Sequence, residues 1–272
     1  MIKQAIVVLL LSLFIWQTGL SQEITMERTV FHGDTSLYAQ ARETILRTSD
    51  SITREPSSSQ LYFRRGYLFF EIEEWKKAKE DFTKAIAIDT NNFLYYYERG
   101  AANERLSEFG DAYDDYCNAI KLNPTSEWSY LDRGLIFQRS KMFTDAANDF
   151  RHALRIRPNW GAALFEIGSN YDGENKVDSA IYYYKKAIHY DSLQYKAYNN
   201  LGYIYTLQKK YDLAIIQFNK ALKIWSGYTY ALTNRADAEY AEGDKTSACA
   251  DIYQAILLGR EDKMDAYKEH CQ

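Results

Sequence analysis

The sequence predicts an all-α protein, a solenoid of six stacked helical hairpins, and three observations carry that prediction. Glycines recur every 34 residues, at Gly66, Gly100, Gly134, Gly168 and Gly202, with Ala236 in the sixth place. Twelve residues after each comes an alanine (Ala78, Ala112, Ala146, Ala180, Ala214, Ala248), and seven further on another (Ala85, Ala119, Ala153, Ala187, Ala221, Ala255). Only 3 prolines accompany 24 tyrosines in 272 residues, which suits long helices packed through aromatic rings better than a loop-rich sandwich. A period that neither gains nor loses a residue over six copies marks a helical-hairpin array.

Within each unit the small residues fall in two helices. The first helix brings glycine to the place where the second brings alanine, so that the backbones approach closely. Four residues after the first alanine stands a large side chain: Phe82, Tyr116, Phe150, Tyr184, Phe218 and Ile252. That spacing puts both on one helical face. The large residue is expected to fill the seam together with Phe69, Phe137, Tyr171 or Tyr205 of the first helix. Three residues before the alanine, Trp75, Phe109, Phe143, Val177 and Tyr211 are placed to pack the turn, with Lys245 the exception. One hairpin cannot cover its own apolar face, so neighbours must stack.

These residues resemble the tetratricopeptide repeat, whose pattern is W-x2-L-G-x2-Y, then A-x3-F, A and P. Six units are expected at 59–92, 93–126, 127–160, 161–194, 195–228 and 229–262, and the resemblance implies a right-handed α-solenoid. Departures are local. The tryptophan place holds Tyr62, Tyr96, Tyr130, Leu164, Tyr198 and Leu232, and the closing proline survives only as Pro124 and Pro158. Arg65, Arg99, Arg133 and Arg235 replace the leucine, their stems able to cover apolar surface. Asn103 and Glu239 replace the tyrosine of the first helix, so the second and sixth repeats should pack less well.

The ends differ from the array. Lys3, the apolar run Ala5 to Trp16 and the small residues Gly19 and Ser21 form the pattern of a secretory signal peptide over 1–21, cut after Ser21. The run is short for a bilayer span, and an uncleaved anchor is the alternative. No cysteine follows the cut to accept a lipid, and no other stretch is apolar enough to enter a membrane. Residues 22–58 are read as a capping helix and polar hinge. Asp34 or Thr35 begins the helix, Leu37, Tyr38, Ala41 and Ile45 share a side, and it ends near Ser51, before a hinge from Arg54 to Gln60. Gly259 stops the last hairpin, and Met264, Tyr267 and Cys271 mark a C-terminal capping helix over 263–272. A fold-back about Arg260 would bring Cys249 level with Cys271, as a disulfide worth about 3 kcal/mol or as two packed thiols. Cys117 is expected to be free and buried.

Catalysis finds no support. Four scattered histidines and three cysteines with no C-x-x-C exclude the common zinc motifs, and no nucleophile elbow, phosphate loop or dinucleotide fingerprint is present. The Asn170 to Glu174 turn lacks the ligand alternation of a calcium loop, and the acidic clusters at 71–74 and 111–115 suit helix N-termini. No catalytic residue, metal site or cofactor is therefore expected. With 33 basic against 37 acidic residues, nucleic acid is an unsuited partner.

The family resemblance implies a concave face built by the first helices at repeat positions 2, 5, 9, 12 and 13. Carried over, these give a partner-binding groove of Phe63, Tyr67, Phe70, Tyr97, Arg105, Trp128, Leu131, Leu135, Arg139, Phe165, Tyr203 and Tyr230, with Tyr240 beyond. About half the aromatics should serve as spacers between helices. The lysine and asparagine with which some family members clamp a terminal carboxylate are absent. Arg105 and Arg139 could instead receive an acidic group, or pair with neighbours such as Glu104. The expected function is an exported, periplasmic or extracellular interaction scaffold that binds an extended peptide or helix of another protein. The alternative is a structural subunit that self-associates through its ends or convex face.

Overall fold

The structure, a computed structural model, describes residues 35–271. Residues 1–21, read from the sequence as a signal peptide, and Asp34 lie outside the described residues, as does the side chain of Leu37. Fourteen α-helices and a short 3-10 turn account for the described chain, with no strand among its residues. They run α1 Thr35–Arg54, α2 Ser59–Glu71, α3 Trp75–Ile88, α4 Phe93–Arg105, α5 Phe109–Leu122, α6 Glu127–Arg139, α7 Phe143–Ile156, α8 Gly161–Gly173, α9 Val177–Tyr190, α10 Tyr195–Leu207, α11 Tyr211–Ile224, α12 Thr229–Glu242, α13 Lys245–Leu257 and α14 Met264–Cys271. None is long and apolar enough to cross a membrane. Two compact units meet after Asn91.

In the first unit α1 lays Ala41 and Ile45 on Ile72, with Tyr38, Leu68 and Phe69 around them. The helix runs three residues beyond Ser51, because Ile52 extends its buried face and the hydroxyls of Thr48, Ser49, Ser51 and Thr53 donate to carbonyls four residues back. The hinge shrinks accordingly to 55–58.

The second unit holds five hairpins, α4–α5 through α12–α13, and α14. Cys249 of α13 and Cys271 of α14 are disulfide-bonded, with Cα atoms 5.6 Å apart. Cys117 is free but only half-buried, not enclosed as expected, because its sulfur stands at the side of α5 facing Arg133. Gly259, at φ 97°, ends the last hairpin in a left-handed conformation.

Each first helix of a hairpin ends the same way. The N–H groups of Glu74, Glu108, Met142, Lys176, Lys210 and Asp244 reach back five residues to carbonyls of Phe69, Asn103, Phe137, Tyr171, Tyr205 and Glu239 at 2.8–2.9 Å. This closure needs the preceding residue in the left-handed region. Glu73, Ser107, Lys141, Asn175, Lys209 and Gly243 hold it, at φ between 57° and 101°. Only the sixth copy uses glycine, so five turns carry strain that glycine would relieve. Lys141→Gly and Lys209→Gly are each expected to stabilise the protein by about 0.5–1 kcal/mol, read as a rise in the urea midpoint at constant slope.

The large ring fills the seam of each of the first five hairpins, as the spacing predicts. The place of the missing glycine Cβ is taken by the large ring sixteen residues later, not by alanine. A Cβ built on Gly66, Gly100, Gly134, Gly168 or Gly202 would stand 2.6–2.9 Å from Phe82, Tyr116, Phe150, Tyr184 or Phe218. All five rings are fully buried. Phe137, Tyr171 and Tyr205 pack against the clusters of Phe150, Tyr184 and Phe218 as expected. Position 5 adds a second ring partner, with Phe63 5.7 Å from Phe82, Tyr97 5.8 Å from Tyr116 and Phe165 5.6 Å from Tyr184.

The arginines before those glycines do more than cover apolar surface. Arg65, Arg99, Arg133 and Arg235 each fork onto Asp81, Asp115, Asp149 and Asp251 through two hydrogen bonds of 2.6–2.9 Å. The aspartates are buried, so these are charge-assisted bonds screened from water. The remaining nitrogen of Arg65, Arg133 and Arg235 turns to Ser49, Cys117 and Asn219 of the preceding helix. One side chain thus ties a hairpin internally and to its neighbour. Asn103 joins the pattern by donating to Asp115 at 2.9 Å, while Glu239 lies 3.6 Å from Arg235. Both are buried, yet Asn103 Oδ1 and Glu239 Oε2 find no hydrogen-bond partner among the described residues, a cost the tyrosine of the pattern would not carry.

Candidate functional site

In the second unit the first helices of successive hairpins approach one another. α6 touches α8 and α10 touches α12. Their shared face is the candidate partner surface, and it is less aromatic than the repeat positions imply. Leu131 and Phe165 are buried in the hairpin cores, as are Phe63 and Phe70 in the first unit. The close approach enforced at the glycines draws position 5 inward against the ring of the second helix. Tyr67, Tyr97, Trp128 and Leu135 are half-buried. Trp128 packs edge-on against Trp160 at 4.6 Å, and the Tyr97 hydroxyl donates to Asp132 Oδ2 at 2.8 Å.

The exposed members lie towards the C-terminus and at the helix ends. Tyr203 is 47% exposed, Tyr230 60% and Tyr240 38%. Leu207, 66% exposed, joins them; it occupies repeat position 13, which was read only for its arginines. Arg105 and Arg139 are exposed at that same position. Arg139 does not pair with Glu104 but lies over the Phe109 ring, 4.1 Å from its centre. Glu104 instead accepts the Tyr116 hydroxyl. A cavity of about 460 Å³ opens beside them, lined by Glu104, Phe109, Leu135, Ile136, Gln138, Arg139, Phe143, Ser169 and Gly173.

Carboxylates shape the electrostatics of this face. Burial pushes the Glu166 carboxyl up to about 7, with Asp132 adding to the effect and Lys196 opposing it. Burial likewise raises Asp172 and Asp237, the former opposed by a Tyr184 hydrogen bond and the latter by the charge of Lys263. A carboxyl raised in the fold favours its protonated form, so its contribution is present below the unfolded value and is lost as pH rises through the folded one. Wild-type protein is therefore expected to lose stability between about pH 4.5 and 7 relative to Glu166→Gln. Thermal melts of both across that range check it, with a constant difference counting against it.

Arg151, Arg155 and Arg157, on the opposite side, are exposed as expected. Arg157 lies over Trp160 at 5.2 Å, and Arg151 donates to the Tyr171 hydroxyl at 3.4 Å. On the outer helices Tyr182, Leu213, Ile216 and Tyr253 are 45–59% exposed, an apolar set that the repeat positions did not flag. Among the described residues no group of three His, Cys, Asp or Glu side chains is arranged to hold a metal ion.

Comparison with known proteins places this architecture. Structural similarity extends to the Cut9–Hcn1 hetero-tetramer of the APC/C, at TM-score 0.72 and 17% identity over 87% of this chain and 48% of that one. A tetratricopeptide repeat protein from Parabacteroides merdae aligns at TM-score 0.66 and 18% identity, over 86% and 97% of the two chains. YrrB, described as a TPR protein with an unusual peptide-binding site, aligns at TM-score 0.50 and 20% identity, over 70% and 99%. At these identities the likeness shows the fold. No curated protein matches the chain by sequence. Tetratricopeptide repeat family models match residues 59–92 and 195–228, so these two segments are recognised as tetratricopeptide repeats.

Proposed function

We propose that this chain is an exported scaffold that holds a peptide or helix of another protein against the face formed by its first helices. The observation that carries the reading is the exposed apolar set Tyr203, Leu207, Tyr230 and Tyr240 on adjoining helices α10 and α12. Large side chains left in water on one continuous face are suited to docking. Tyrosines offer apolar area with a polar tip and little entropy to lose. Export rests on the charged start, short apolar run and small residues of 1–21.

The test is affinity capture from an envelope extract with residues 22–272, beside the Tyr203→Ala/Tyr230→Ala variant. Both side chains are exposed, so the variant keeps its core; Phe63 is unsuitable because it is part of the core. A protein retained by the wild type and lost by the variant supports the reading, and equal retention overturns it. The apolar outer set favours a second reading, self-association through the convex face. Sedimentation velocity separates the two: an oligomer dissolved by Tyr182→Glu/Ile216→Glu would favour the structural subunit.

A further inference from the structure

The cavity between α4, α6 and α8 combines a shaped apolar wall with one cation that the fold has left unspent. Arg139 stacks on Phe109 at 4.1 Å, and among the described residues it makes no ion pair. A guanidinium resting over a ring face keeps its N–H edge available, and that edge can receive a carboxylate through two parallel bonds. Glu104, the carboxylate in the same wall, is turned to the Tyr116 hydroxyl. Leu135 and Phe143 contribute apolar surface to the same lining. Gly173 stands beside Phe143, whose ring lies 2.8 Å from where a Cβ would be. A side chain at 173 would therefore press on that wall, and the bare backbone leaves it open.

We infer that this cavity receives an acidic residue next to a bulky apolar one on a partner polypeptide, the carboxylate on Arg139 and the apolar side chain between Leu135 and Phe143. Its volume of about 460 Å³ exceeds that of one side chain and suits two adjacent residues. Charge complementarity selects the occupant: among the described residues no anion pairs with the exposed Arg139, and the apolar wall lines the same cavity. Gln138, whose amide nitrogen donates to the Glu166 carbonyl at 3.4 Å, and Ser169, hydrogen-bonded to Tyr184, add neutral polar groups to the same lining, each with capacity left for a peptide backbone. Arg105, one repeat earlier in the same register and also exposed, extends the positive edge. The inference rests on the reading that the first-helix face binds a polypeptide, but it lies at a different part of that face from Tyr203 and Tyr230.

The experiment uses residues 22–272 and three fluorescein-labelled, end-blocked octapeptides of serine and glycine carrying one Leu–Glu, Leu–Gln or Leu–Lys step. Binding is read by anisotropy at low salt. The Leu–Glu peptide is expected to bind about five- to tenfold more tightly than Leu–Gln, the scale of a partly exposed bidentate pair. Arg139→Gln should abolish that preference, and Arg139→Lys should restore only part of it, since the charge returns without the fork. Added salt should narrow the difference. Equal affinities, tighter binding of Leu–Lys, no binding of any peptide, or a preference unchanged by Arg139→Gln would each overturn the inference. The Tyr203/Tyr230 capture test reports on the wider reading independently. Capture that depends on those tyrosines, with no acidic preference, leaves the scaffold standing and removes this pocket.

Discussion

Replacing Arg133 with methionine is expected to destabilise the protein by about 3 kcal/mol, the lower end of the range for breaking a buried ion pair. The lower end applies because the arginine side chain keeps 19% of its surface in water while Asp149 keeps only 6%. The loss comes mainly from what is left behind. Asp149 would remain buried with both oxygens stripped of donors, and the bond from Arg133 to Cys117 on α5 would go as well. The chain contains its own compensating solution. In the fourth repeat the same two places hold Ile167 and Tyr183, and the Tyr183 ring stacks on Tyr171 at 5.5 Å. The double variant Arg133→Ile/Asp149→Tyr should therefore recover at least half the loss, with the new ring placed to pack on Phe137. Urea unfolding of the two singles and the double gives the coupling directly. Additive losses would show that the pair is not the source of the effect.

Gly134→Ala is expected to cost about 1–3 kcal/mol, although alanine normally favours a helix over glycine by about 1 kcal/mol. The added methyl would sit 2.6 Å from Cε1 of Phe150, a fully buried ring with nowhere to withdraw. The sixth repeat again suggests the compensation, for there Ala236 is followed sixteen residues on by the smaller Ile252. Phe150→Ile alone should destabilise by leaving a void, and adding it to Gly134→Ala should cost less than the sum of the two. Thermal melts of the four proteins decide this. A Gly134→Ala protein more stable than wild type would mean that helix propensity outweighs the clash.

These two sites show how far the sequence could be read. The 34-residue period places a small residue, then an alanine, then a large ring in every copy, and the helices follow from that spacing alone. The arginines and aspartates were equally visible, and so was their joint loss in the fourth and fifth repeats, where Ile167 and Leu201 accompany Tyr183 and Gln217. The signal that linked them was the sixteen-residue separation, the same that joins each glycine to its ring. It becomes meaningful only when the hairpin turn and crossing are known, since periodicity fixes faces within a helix and not the level at which two helices meet. The left-handed turn residues escaped notice because five of the six are not glycine. The partner surface was the least legible part. Repeat positions named Phe63, Leu131 and Phe165 as groove residues, but close packing at the glycines draws them into the hairpin cores.

The sequence by itself determined that the chain is helical, that its hairpins repeat every 34 residues, and which small residues and rings share a face of each second helix. Those properties follow from spacing on a single helix, where 3.6 residues make a turn whatever lies nearby. The tertiary structure alone decided which ring fills the space beside each glycine, which aspartate each arginine grips, and which apolar residues remain in water. These depend on distances between helices, and a few ångströms of approach separate a buried spacer from an exposed contact.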